Sequence, residues 1–127
     1  MSYTRKNLRE VEDSAPKFGF SETQESRFAY QDLSAQDTGL AYHVVRADRR
    51  QAFGHRHEAA EEIYVILSGS GRMKLDDEVI DVEPMDAIRV APQVGRSFEA
   101  GSQDLEVLAF GPRHAGDGEV LPDFWTD

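Results

Sequence analysis

Gly54-His55-Arg56-His57-Glu58-Ala59-Ala60-Glu61-Glu62-Ile63-Tyr64-Val65-Ile66-Leu67-Ser68-Gly69 reads as two extended segments joined by a short polar connection. Alternate side chains of an extended chain share a face, so His55 and His57 point the same way and can present two imidazoles to one ion. Glu62 heads the apolar run Ile63 to Leu67 and shares a face with Tyr64 and Ile66. If that face lines a barrel interior, the carboxylate returns to the two imidazoles from the neighbouring strand. Two imidazoles and one carboxylate, with the remaining positions open, suit iron and several other divalent metals. A His-x-His pair alone is a weak sign of ligation, and Glu62 and Gly69 at their spacings strengthen it.

The same texture extends outward from this stretch. Leu40 to Val45, Met73 to Leu75, Val79 to Val82, Ala87 to Val90 and Leu105 to Phe110 are short apolar runs separated by turn residues. Such runs predict an antiparallel sandwich or barrel, and no stretch carries a helical period. Ser68-Gly69-Ser70-Gly71 tolerates positive φ and lets the chain reverse after Leu67, and Asp76-Asp77-Glu78 predicts a second hairpin tip. Pro84 and Pro92 bracket the Ala87 to Val90 strand because proline cannot donate to a ladder. Residues 1–37 are polar with scattered aromatics and predict an N-terminal arm with one short strand near Arg27 to Tyr30. Residues 38–111 form the barrel domain, and residues 112–127 an acidic C-terminal tail that docks on it through Phe124 and Trp125.

Charge narrows the partners. The chain has 127 residues, with 14 Lys and Arg against 24 Asp and Glu, a net charge of −10. A chain so acidic repels phosphate backbones and anionic lipid, which argues against nucleic-acid and membrane partners. The absence of Cys removes disulfides, thiolate metal sites and cysteine nucleophiles, so imidazole and carboxylate are the donors left for a metal. The apolar run Ile63 to Leu67 falls far short of the roughly 20 residues of a spanning helix. Met1 to Asp13 has no apolar segment of the kind a secretory signal needs. The expectation is a single-domain cytoplasmic protein that binds a small molecule, with Asp76, Asp77, Glu78, Asp117, Glu119, Asp123 and Asp127 facing solvent.

His55, His57, Glu62 and Gly69 stand in the register of the first motif of the cupin superfamily, which this segment resembles: Gly, five residues, His-x-His, three or four residues, Glu, six residues, Gly. Arg49 takes the place of the leading Gly. The second motif is degenerate. With Asp86 on its usual Asp, Met85 falls in the Gly position, Ala91 in the Pro position, Arg96 in the His position and Ala100 in the Asn position. The resemblance covers roughly residues 38–111. It implies an all-β fold, a double-stranded β-helix or jelly-roll barrel, with the pocket inside and a homodimer as the usual assembly.

The resemblance makes His55, His57 and Glu62 the metal ligands of an incomplete site for one divalent ion, Fe, Mn, Ni or Zn. Arginine is always protonated and cannot replace the missing imidazole; its guanidinium would repel a cation and can pair with Glu62 instead. His43 and His114 are the candidates for a further nitrogen. If the chain is an enzyme of oxygenase or isomerase type, Glu62 acts as ligand or base, Tyr64 offers a phenol, and Arg96, with His43, binds the substrate; Arg89 either enters the pocket beside Arg96 as a further ligand contact or lies on the outer face of its strand. The alternative is a metal-free binding or sensor module in which Arg96 pairs with Glu62 and the two histidines serve as hydrogen-bonding groups.

Overall fold

Alternation of apolar and polar residues sets the strands, and the face each strand buries sets the sheets. The computed structural model describes residues 2–127. Its strands are β1 (Gln24–Phe28), β2 (Thr38–Val45), β3 (Gly54–His57), β4 (Glu62–Ser68), β5 (Gly71–Leu75), β6 (Glu78–Val82), β7 (Ala87–Val90), β8 (Arg96–Ala100), β9 (Leu105–Pro112) and β10 (Gly118–Leu121). Two 3-10 turns, Leu8–Glu10 and Ala15–Phe18, precede them. The strands form two five-stranded sheets in the orders β1-β2-β9-β4-β7 and β10-β3-β8-β5-β6, with every pairing antiparallel. This is the all-β jelly-roll barrel that the sequence implies.

The core lies between the sheets. Tyr64 and Ile66 of β4 and Leu105, Val107 and Ala109 of β9 face Met73 of β5 and Phe98 of β8, all of them buried. Tyr64 packs edge-on against Phe98, with ring centroids 5.3 Å apart. Full burial of one side chain such as Ile66 contributes roughly 1.5–3 kcal/mol, which is why the alternation of β4 and β9 decides which face turns inward. Glu62 belongs to the same inward face of β4, at the barrel end where the core gives way to a cavity.

The turns follow the predicted chemistry. Gly69 has φ +79°, and a Cβ built there would overlap the Asp104 carbonyl oxygen. Asp76 takes φ +53° at the second hairpin tip, and its carboxylate accepts the Gly95 N–H at 2.8 Å.

Both ends of the chain depart in detail from the sequence reading. The arm's strand spans Gln24–Phe28 rather than Arg27 to Tyr30, because its inward residues are Gln24 and Ser26, polar groups that give no apolar signal. The arm is pinned by Asp13, whose Oδ1 accepts the N–H groups of Ala15 and Ser26 at 3.0 and 2.9 Å. In the tail, Gly118–Leu121 pairs with β3 as an edge strand. Beyond it, Trp125 donates its indole N–H to Ser97 Oγ at 3.0 Å and lies under the Arg50 guanidinium, 4.6 Å from the ring centroid. This cover explains why Arg96, Ser97 and Phe98 are all buried although they alternate between the two faces of β8. Asp117 does not face solvent as the sequence suggested: its side chain is 7% exposed and is taken up by backbone donors.

Candidate metal centre

β3, β4 and β8 converge at one end of the barrel. His55 and His57 alternate onto the inner face of β3, and their rings stand edge to face with centroids 5.2 Å apart. Glu62, at the head of β4, brings its Oε1 to 3.0 Å from His57 Nε2 and 3.5 Å from His55 Nε2. One donor atom from each of the three residues lies within 4.8 Å of the others. Tyr64, two residues along β4, donates its hydroxyl to the same Glu62 oxygen at 2.6 Å and stands 3.4 Å from His55 Nε2.

Arg96 sits directly across from His55 in the β3–β8 register. Its guanidinium is fully buried, donating from Nη1 to Glu62 Oε1 at 3.0 Å and from Nη2 to the carbonyls of Ala91 and Pro92 at 2.8 and 3.3 Å. Those bonds turn it away from the cavity, whose wall it does not join. Arg96 therefore orients Glu62 rather than meeting a ligand, a correction to the expected substrate contact. Arg89 is a second correction. It lies on the outer face of β7, exposed and paired with Glu61 at 3.2 Å, because the inward residues of that short strand are Ile88 and Val90.

Electrostatics keep Glu62 ionised. Burial pushes its carboxyl up, but the hydrogen bonds from His55, His57 and Tyr64 outweigh this and hold it well below the usual carboxylate range. Tyr64 is raised well above its ordinary value by burial and by the Glu62 charge, so it keeps its proton.

The sequence reading missed Asp117 as a functional residue. Its carboxylate accepts the N–H groups of Glu58, Ala59 and Ala60 at 2.8–3.1 Å, which fixes the connection between β3 and β4. Burial raises its carboxyl, and these backbone donors with nearby His57 more than offset that and lower it. His57 Nδ1, buried and without an aligned hydrogen-bond partner, lies 3.3 Å from Asp117 Oδ2. A carboxylate behind a ligating imidazole is the arrangement that fixes the ring and raises its basicity. The only trace in the sequence is an Asp between two glycines, Gly116-Asp117-Gly118.

The three donors open onto a cavity of about 390 Å³. Phe28, Leu40, Phe53 and Ala109 supply apolar wall, and Gln24, Ser26 and His43 a polar patch. His43 Nδ1 is 3.1 Å from Ser26 Oγ, which also accepts the Gln24 amide at 3.0 Å. Burial and the neighbouring His55 push the His43 imidazole down to about 4, so it is neutral at physiological pH. His43 thus borders the cavity without joining the donor set, and His114 lies in the mouth loop, also outside it. The residues present fit a divalent ion as a three-donor set, with Asp117 behind His57 and Arg96 behind Glu62.

Comparison with known proteins agrees with this architecture. The family model described as the Cupin domain matches residues 44–111. An uncharacterized protein of Methanocaldococcus jannaschii is 37% identical over 70 residues, 53% of this chain and 56% of that protein, so the chain matches little more than half of that relative's length. A cupin protein from Bacteroides fragilis superposes with a TM-score of 0.70 at 22% identity, covering 100% of this chain and 98% of that one. The polyketide cyclase RemF from Streptomyces resistomycificus gives 0.75 at 20% identity, covering 98% and 87%. Bacillus subtilis oxalate decarboxylase OxdC gives 0.75 at 18% identity over 91% of this chain and 31% of the larger enzyme. At these identities the structural likeness carries the fold alone. With the family model spanning just over half of its residues, the chain belongs to the cupin superfamily.

Proposed function

We propose that this protein is a metal-dependent cupin enzyme acting on a small organic molecule, with His55, His57 and Glu62 holding one divalent ion at the floor of the cavity. The observation that carries the reading is the convergence of two Nε2 atoms and an ionised carboxylate beside an open, mostly apolar space. A bound ion would supply Lewis acidity and open coordination positions, which suits oxygenase or isomerase chemistry. The chain's own groups do the rest. Arg96 holds Glu62 in place, Asp117 holds His57, and Tyr64 keeps a proton that it can donate to a substrate oxygen beside Glu62. Two structural neighbours, the polyketide cyclase and the oxalate decarboxylase, are enzymes, which supports the reading without fixing the reaction. Elemental analysis of protein purified without a tag or chelator tests it. One ion per chain, lost in His55→Ala plus His57→Ala, is expected.

A second reading has its own observation. The Arg96 guanidinium stands 3.0 Å from the oxygen that would ligate the ion, and with it Glu62 is already charge-compensated. A metal-free binding module would use His55 and His57 as hydrogen-bonding groups. Its ligand affinity would survive exhaustive dialysis against chelator, whereas the metal reading expects affinity to fall and return with added metal.

A further inference from the structure

Three formally charged side chains line the cavity: Glu62, Asp117 and Arg113. Two are already committed. Glu62 pairs with Arg96, and the Asp117 carboxylate is occupied by three backbone N–H groups. Arg113, just past the end of β9, has no carboxylate within ion-pairing distance among the described residues, although the chain carries ten more acids than bases. It is held in place without being neutralised. The guanidinium carbon lies 3.7 Å from the centroid of the Tyr30 ring. Its stem crosses Gly39, where a Cβ would stand 3.3 Å from Arg113 Cγ, and its own N–H donates to the Asp37 carbonyl at 3.0 Å. A guanidinium stacked in this way keeps its N–H edges free for a planar, two-oxygen partner.

We propose that the cavity takes an organic carboxylate with an apolar or aromatic body, and that Arg113 is the residue that binds its carboxylate at the mouth. The body lies against Phe28, Leu40 and Phe53, apolar residues of the cavity wall. Ile63 pairs with Phe110 and Gly111 lies against Glu62, so Arg113 follows two residues beyond the level of the metal centre. About 7 Å of extended chain separates the two levels, which lets one small molecule reach from Arg113 towards the metal centre. The inference rests on the small-molecule reading of this cavity and names its substrate class.

Titration calorimetry on the full chain, metal-loaded and chelated, with 3-phenylpropionate, octanoate, their neutral amides and phenyl phosphate tests the assignment. Both acids should bind more tightly than their amides. Arg113→Gln should weaken the acids about tenfold while leaving the amides unchanged, and Arg113→Lys should recover part of the loss. Equal affinities for acid and amide, no binding of either acid, or an Arg113→Gln variant that binds acids normally overturns the proposal. Tighter binding of phenyl phosphate with the same dependence on Arg113 overturns the carboxylate assignment in favour of a phosphate ester. Elemental analysis of the same samples separates the two inferences. A chain purified without chelator that holds no metal yet discriminates acids through Arg113 overturns the metal reading alone; a metal-loaded chain without discrimination overturns this one alone.

Discussion

Arg96 donates to Glu62 inside the barrel, Nη1 to Oε1 at 3.0 Å, with the arginine fully buried. Removing one partner of such a pair leaves an uncompensated charge, which is far more costly than the pair itself is favourable. Arg96→Met is expected to lower unfolding free energy by about 3 kcal/mol in urea denaturation. Glu62→Gln added to it should cost less than the sum of the two single changes, because the second removes the charge the first left stranded. Additive losses would show that the two side chains do not act as a pair.

The same position tests the metal site from the other side. Arg96→His replaces a buried cation with a neutral nitrogen donor across from His55. The variant is expected to bind zinc or manganese at least about tenfold more tightly than the wild type, read by competition with a chelating dye. Unchanged or weaker affinity would mean that Arg96 does not occupy a ligand's place.

Asp117 is a positioning residue for His57. Asp117→Asn should lower metal affinity by about 10–100-fold, the usual consequence of losing a carboxylate behind a ligating imidazole. Its amide oxygen can still accept one of the backbone donors, so a loss of metal affinity without a large fall in melting temperature separates this role from simple capping.

His43 gives a pH dependence. The unfolded chain protonates it near 6.5 and the folded chain near 4. Between those values the unfolded state binds more protons, so stability falls as the pH is lowered through this window, by up to about 3 kcal/mol. Above 6.5 the full contribution is present. His43→Gln removes the titrating group. Urea titrations of chelated protein at pH 7 and pH 4 should show the wild type losing more stability than the variant, and parallel losses would contradict the burial argument.

How much of this was legible in sequence depends on what each residue packs against. β4 and β9 are visible because their inward residues are apolar and alternate with the strand period. β1 is visible only at its Arg27–Phe28 end and β10 not at all: Gln24 and Ser26 face a polar patch of cavity, and β10 is a mostly exposed edge strand with one half-buried end. The donors His55, His57 and Glu62 were legible because all three sit in one short stretch with period-two geometry. Arg89 could not be placed, since a four-residue strand offers too few alternations to fix its inner face. Asp117 and Arg113 reach the cavity from a loop of glycine and polar residues, where no periodicity records which side chain turns inward.

The account stands on one divalent ion held by His55, His57 and Glu62. Its most direct measurement is metal content and zinc or manganese affinity of tag-free protein, wild type against His55→Ala plus His57→Ala. The account predicts one ion per chain in the wild type and loss of that binding in the double variant. Substoichiometric metal, or binding indifferent to both histidines, would contradict it.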